Sequence, residues 1–135
     1  MDVYAENILD HYRHPRGKQP IPSPATEHEE VNMSCGDTLT IRLAIESGVI
    51  RGASWTGTGC AISQAGMSLL FEEIVGMSVE DAERLTQETM RGLLGVPIGA
   101  RRFKCAFLAL HTLKNALRKY RGDGPLGWTE TIGAN

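Results

Sequence analysis

The spacing of apolar residues changes twice along the chain, and each change marks a different kind of element. Over residues 2–13, Val3, Ile8, Leu9 and Tyr12 recur at helical intervals, and Pro15 with Gly17 closes the run, which predicts a short helix. Pro15, Pro20, Pro22 and Pro24 predict an extended, mobile loop over residues 15–30. From residue 38 to 46 the period falls to two. Leu39, Ile41, Leu43 and Ile45 alternate with mostly polar neighbours, as in a half-buried strand. Ser47-Gly48 supplies a tight turn, and residues 49–56 read as a second strand, paired antiparallel with the first. Residues 31–33 are a candidate short third strand.

After Cys60 the helical period returns. Ile62, Gly66, Leu69, Leu70 and Ile74 share one face, and Gly76 supplies a stop. Ser78-Val79-Glu80-Asp81 resembles a capping box and predicts a helix with Ala82, Leu85, Thr86 and Met90 on one side. Gly92, Gly95, Pro97 and Gly99 predict a loop over 92–99. A long C-terminal helix over 101–121 carries the stripe Ala106, Ala109, Leu110, Leu113, Ala116, Leu117 and Tyr120. Its basic residues Lys114, Arg118, Lys119 and Arg121 crowd the end where the helix dipole favours cations. Strands precede most of the helices, so the expected class is α+β, a small antiparallel sheet with helices packed on one face. One domain is expected over residues 1–122, with 123–135 a flexible tail in which Trp128 is a loose aromatic. Trp55 is expected in the core.

Composition narrows the function. The 135 residues are 41% apolar and 22% charged, as in an ordinary globular domain. A net charge of -2 gives no broad basic field for a nucleic-acid backbone, so no nucleic-acid partner is expected. No apolar run approaches the roughly 18 residues of a membrane span. The opening residues lack a basic-then-apolar signal pattern, so the expected location is cytoplasmic.

The chemistry lies in three cysteines, Cys35, Cys60 and Cys105, an odd number that cannot all pair within the chain. Each falls at an expected element boundary. Cys35 precedes the first long strand, Cys60 joins a strand to a helix, and Cys105 lies in the first turn or so of the last helix. Loop ends of this kind can meet at one sheet edge. Helix N-termini lower thiol pKa values and favour the thiolate, the form that attacks and ligates; Cys60 and Cys105 would gain this, and Arg102 and Lys104 add positive charge beside Cys105. Gly36, Gly57 and Gly59 let backbone approach a bulky ligand. Three thiolates leave a tetrahedral ion one donor short, and Asp37 is the expected fourth. A Cys3Asp set suits Zn2+, and it also suits a [2Fe–2S] cluster made labile by its hard carboxylate. His111 lies about 240° around the helix from Cys105 and is expected at the surface or against a partner, not as a ligand. His11 and His14 are expected to be solvated or capping.

These contexts resemble the U-type scaffold family: the NifU N-terminal domain, IscU and SufU. The likeness covers roughly residues 3–120. It rests on the opening Tyr4-Ala5-Glu6-Asn7-Ile8-Leu9-Asp10-His11-Tyr12-Arg13-His14-Pro15-Arg16, on Cys35-Gly36-Asp37, on Gly57-Thr58-Gly59-Cys60-Ala61-Ile62-Ser63, and on Lys104-Cys105-Ala106. It implies a three-stranded antiparallel sheet and a site made of Cys35, Asp37, Cys60 and Cys105. It also implies a PLP-dependent cysteine desulfurase as partner, delivering sulfur as persulfide. Lys104 stands where IscU and NifU types carry histidine, and the Arg102-Phe103-Lys104-Cys105 run is similar to SufU. The short gap of 45 residues between Cys60 and Cys105 is similar to IscU. The Leu-Pro-Pro-Val-Lys motif is absent, so the dedicated IscU-type chaperone is not expected as a partner.

Two functions are therefore expected. The first is a non-enzymatic scaffold that takes persulfide sulfur, with Cys35 the candidate acceptor, builds a transient [2Fe–2S] cluster and passes it to apo recipient or carrier proteins. The second is a zinc-dependent sulfur-transfer protein that activates the desulfurase from the same site. A purely structural zinc site is the remaining alternative.

Overall fold

The computed structural model describes residues 3–134, so the expected helix start at Asp2 and the last tail residue, Asn135, lie outside it. In chain order the elements are α1 (Val3–Arg13), β1 (Thr26–Asn32), β2 (Asp37–Glu46), β3 (Val49–Thr58), α2 (Ala61–Ile74), α3 (Val79–Glu83), α4 (Gln87–Leu94), a 3-10 turn (Ala100–Arg102), α5 (Phe103–Tyr120) and α6 (Trp128–Thr131). The sheet order is β1-β2-β3 and both pairings are antiparallel. The chain is thus α+β with a three-stranded sheet and a long helix near its C-terminal end. Among the described residues no helix is long and apolar enough to cross a membrane.

The alternation of β2 sets the inside of the sheet. Leu39, Ile41 and Leu43 are buried, and across the β2–β3 ladder Ile41 faces Trp55 and Leu43 faces Ala53. Burying a side chain of this size contributes about 1.5–3 kcal/mol. Trp55 is in the core as expected, and its indole N–H donates to the Arg16 carbonyl at 2.6 Å. Helices α2 and α5 cover this face, and α1 lies against α2. The outer face stays polar, with Arg42 bonded to Glu27 and Thr40 to Glu29 across the β1–β2 pair.

Strand β1 departs from expectation. The loop ends at Ala25, and the strand runs over seven residues instead of 31–33. Val31 and Met33, the apolar residues of the expected strand, are exposed. The inward positions are Thr26, His28, Glu30 and Asn32, opposite Leu43, Ile41, Leu39 and Asp37. Polar groups can face inward because α5 supplies partners. Thr26 Oγ1 donates to the Ala116 carbonyl at 3.1 Å, and Asn115 Nδ2 donates to Glu30 at 2.9 Å. His111 Nε2 lies 3.3 Å from Glu30.

Further along the chain, the helix expected from Ser78 breaks into α3 and α4. Ser78 caps α3 by accepting from Asp81 N at 3.0 Å, and Thr86 takes the N-cap of α4 instead of a place in a continuous stripe. Helix α4 runs to Leu94, so Gly92 is helical and the loop is shorter than expected. The segment expected as a flexible tail carries α6, docked on α5. Trp128 stacks on His111 at 4.2 Å, the Leu126 N–H donates to Asn115 at 2.8 Å, and Ile132 is buried. The basic residues at the end of α5 are engaged too: Arg118 with the Gly124 carbonyl, Lys119 with the Glu27 carbonyl and Arg121 with Glu83.

Two histidines expected at the surface are buried. His11 Nδ1 meets Ser68 Oγ at 2.7 Å, and Ser68 Oγ also accepts the Arg16 N–H, so the ring ties α1 to α2. His111 Nδ1 meets Thr131 Oγ1 at 2.7 Å and ties α6 to α5. Burial holds both rings below the ordinary histidine pKa; Arg16 adds to this at His11, and Glu30 opposes it at His111. In the unfolded chain both take up protons as the pH falls through about 6.5, while the folded rings do so only lower. Their contribution is complete above that value and is lost as the pH falls towards the folded-state pKa. Burial raises the Glu30 pKa, but hydrogen bonds from His28 and Asn115 outweigh it, and the net lowering adds a loss of the same sign at more acid pH. Thermal unfolding against pH should therefore show the melting temperature already falling between about pH 6.5 and 5, above the carboxylate range. His11→Gln and His111→Gln should each flatten that slope.

Candidate metal centre

The turn between β1 and β2 builds one wall of the site. The Asn32 carbonyl accepts from Gly36 N at 2.8 Å and from Cys35 N at 3.3 Å, and its side-chain oxygen accepts from Ser34 N at 3.2 Å. Gly36 takes the left-handed conformation that closes the turn, with φ 75°. The turn leaves Cys35 exposed and starts β2 with Asp37, which is 1% exposed and faces inward.

The junction of β3 and α2 builds the second wall. Cys60 is the N-cap of α2, and its backbone N–H donates to Asp37 Oδ1 at 2.8 Å. The approach is close because residue 59 is glycine: a Cβ there would collide with Asp37 Oδ1, and its φ is 143°. The clearance expected here for a bulky ligand thus serves the Asp37 carboxylate. The Cys60 thiol is exposed and sits 3.9 Å from Ser63 Oγ.

Helix α5 supplies the third wall. Cys105 lies in its first turn, 5% exposed, with Sγ 3.6 Å from Cys35 Sγ. One ligand atom from each of Cys35, Asp37 and Cys105 lies within 4.8 Å of the others, the spacing of donors around one metal ion. Among the described residues the Cys60 sulfur falls outside this set, although its backbone shares the carboxylate. The donors present are two thiols and a carboxylate, with a third thiol on the adjoining helix start, a set suited to Zn2+ or to iron held through sulfur.

Residues 3–124 match the sequence profile of the NifU-like N-terminal domain. The chain belongs to that family. Its relatives include an iron–sulfur cluster assembly scaffold protein IscU of Thermotoga maritima, 34% identical over an alignment covering 87% of this chain and 94% of that one. The zinc-dependent sulfurtransferase SufU of Bacillus subtilis is 27% identical, with coverage of 89% and 92%. The crystal structure of FiSufU from Fervidobacterium islandicum AW-1, assigned to iron–sulfur cluster assembly in the SUF system, superposes with a TM-score of 0.74. It has 26% identity, and the match covers 83% of this chain and 94% of that one.

In this NifU-like chain the Cys105 thiol runs against expectation. Burial pushes its pKa well up, hydrogen bonds with Asp37 and Cys35 add to the rise, and nearby Cys60 acts in the same direction. Lys104 places its ammonium over the Trp128 ring, 5.8 Å from the centroid. Arg102 is exposed in the 3-10 turn.

The residue that sequence reasoning missed is Asn32. It is 2% exposed, and its Nδ2 lies 3.4 Å from Asp37 Oδ2 and 3.6 Å from Cys105 Sγ. An asparagine three residues before a cysteine is a turn signal, and that was the available clue.

Two outcomes follow from this geometry. Iodoacetamide added to metal-free protein near neutral pH should label Cys35 and Cys60 well before Cys105, read by peptide mass mapping, because Cys105 is buried and protonated. Gly59→Ala should push Asp37 off the Cys60 N–H, lowering zinc affinity by about tenfold or more in a chelator competition and lowering the melting temperature as well.

Proposed function

We propose that this protein is an iron–sulfur cluster biogenesis scaffold that receives sulfur from a PLP-dependent cysteine desulfurase and assembles a transient [2Fe–2S] cluster for apo recipient or carrier proteins. The observation that carries the reading is the meeting of Cys35, Asp37 and Cys105 within 4.8 Å, two segments distant in sequence converging on a donor set with no other evident use. In the proposed site Cys60, whose sulfur lies outside this group, would turn in from the start of α2 as the remaining ligand. The family membership and the IscU relative support the same reading.

Cys35 is the candidate acceptor. It sits exposed in the β1–β2 turn beside Met33, which is 87% exposed, whereas Cys105 is buried. Its access comes from this turn, since the proline-rich segment leads into the other end of β1. The Cys35 thiolate attacks the outer sulfur of the desulfurase persulfide, the sulfur–sulfur bond of that persulfide breaks, and the desulfurase cysteine leaves as thiolate. Conversion of the transferred sulfur to sulfide takes two electrons from an external thiol or other reductant. Soft thiolates hold iron and sulfide well, and the hard Asp37 carboxylate is the weak point through which a cluster leaves.

A second reading has specific support. Lys104 replaces the histidine of IscU types, and the SufU relative is a zinc-dependent sulfurtransferase. There Zn2+ would be held by Cys35, Asp37, Cys60 and Cys105 until the desulfurase frees Cys35 to take sulfur.

Anaerobic purification, followed by reconstitution with iron, sulfide and a desulfurase, separates the two. A visible chromophore with two irons per site that transfers to an apo-ferredoxin is the expected result. Tight zinc, no chromophore and faster desulfurase turnover would favour sulfur transfer. Unfolding on zinc removal with no persulfide on any cysteine would sink both and leave a structural metal.

A further inference from the structure

Asn32 occupies the one point where β1, the β1–β2 turn and α5 meet, and every polar atom of its side chain is used. Its carbonyl oxygen accepts the Ser34 N–H at 3.2 Å. A carboxamide has one acceptor end and one donor end, so this bond fixes which way the group points. The NH2 end therefore faces the site, 3.4 Å from Asp37 Oδ2 and 3.6 Å from Cys105 Sγ. At 2% exposure no bulk water can replace it. One amide nitrogen thus reaches two candidate ligands from two different elements.

We propose that Asn32 is a positioning residue of the metal centre, whose side-chain amide holds Cys105 and Asp37 together and donates to the Cys105 sulfur when that sulfur ligates. The proposal rests on the reading of Cys35, Asp37 and Cys105 as ligands given above. A thiolate buried beside a carboxylate carries negative charge into a site of like charge. A neutral N–H donor relieves this without adding a competing ligand, because the NH2 end has no lone pair to offer a metal. Partners of this kind orient ligands, and their loss costs about 10–100-fold in metal affinity.

The asparagine also shapes the turn, and the test must separate the two roles. Asn32→Ser keeps a short oxygen that accepts the Ser34 N–H but loses the amide donor; Asn32→Ala loses both. Cobalt(II) serves as the probe, since its thiolate charge-transfer absorption reports sulfur ligation directly. Both variants should bind cobalt and zinc about tenfold or more weakly, with an altered charge-transfer band. Metal-free Asn32→Ser should melt close to the wild type. Wild-type affinity and spectrum in Asn32→Ser would overturn the proposal and leave only a turn residue.

A wild type that takes up no cobalt, zinc or iron would sink the proposed function by itself. Asn32 would then be read on metal-free protein with phenylarsine oxide, which bridges two neighbouring thiols. Slower bridging of Cys35 and Cys105 in Asn32→Ser is expected, and equal rates would overturn the positioning role. If Asn32→Ser does not fold, wild-type protein labelled with nitrogen-15 decides. The Asn32 side-chain amide protons should shift on zinc loading, and unmoved resonances would count against the proposal.

Discussion

The site depends on how α5 is held against β1. Cys105 is separated by 70 residues of sequence from the Cys35 thiol it touches, so nothing local brings them together. What does is a seam of hydrogen bonds between the inward face of an edge strand and a helix running the other way. Thr26 bonds Ala116, Glu30 bonds Asn115 and His111, and Asn32 reaches Cys105. The six steps from Thr26 to Asn32 span about 20 Å of strand, and the eleven from Cys105 to Ala116 about 16 Å of helix, so the two ends of the seam lie a comparable distance apart on both elements. Each buried polar group left unpaired costs about 1–3 kcal/mol. A slip of α5 by one turn would break several bonds at once. An apolar seam would bury as much surface and tolerate such slips far better. Register is what a ligand site needs from this interface, and polar pairing supplies it.

The same seam explains the state of the thiol at its end. Packing α5 tightly enough to fix Cys105 also removes water from its sulfur, and the protonated form is favoured. A metal that binds there displaces that proton, so loading is coupled to proton release and weakens in acid. Cys35 and Cys60 stay exposed on turns and helix starts, free to meet a partner. The three sulfurs thus have different environments although they are chemically alike: one is held by the core and two are offered to solvent.

What the sequence reveals follows from where each residue finds its partner. Strand β2 buries Leu39, Ile41 and Leu43 at every second position, and Ile62, Leu69, Leu70 and Ile74 of α2 are buried, so these periods are visible in the chain itself; of the apolar positions of α1 only Ile8 is buried, with Val3 and Tyr12 exposed. Cys60 at a helix start and Asp37 at a strand start were legible from flanking glycines and from the change of period. Strand β1 was not, because its inward positions are threonine, histidine, glutamate and asparagine, and the α5 partners of Thr26, Glu30 and Asn32 lie some 70 to 90 residues away. His11 and His111 were misplaced for the same reason. A buried histidine announces itself only through Ser68 or Thr131, and neither is near it in sequence. The segment after Gly122 has the glycine and proline content of a tail, yet Trp128 finds a stacking surface on His111. Hydrophobic periodicity reads apolar packing well and is blind to polar seams.

Asp37 shows how such a site can both hold and release. One of its oxygens takes the Cys60 N–H and the other faces the Asn32 amide. A carboxylate oxygen has more than one lone pair, so Asp37 can ligate without surrendering these bonds. It can also let go of a metal without being stranded, because both oxygens keep partners at 1% exposure. A buried carboxylate with no such partners would cost several kcal/mol to leave bare and would cling to any cation within reach. Hydrogen bonding to the protein lowers the cost of the empty state and so lowers the barrier to exchange. In the proposed function, Asp37 is therefore the ligand whose departure the fold makes cheapest, and cargo that must move on is best gripped in that way.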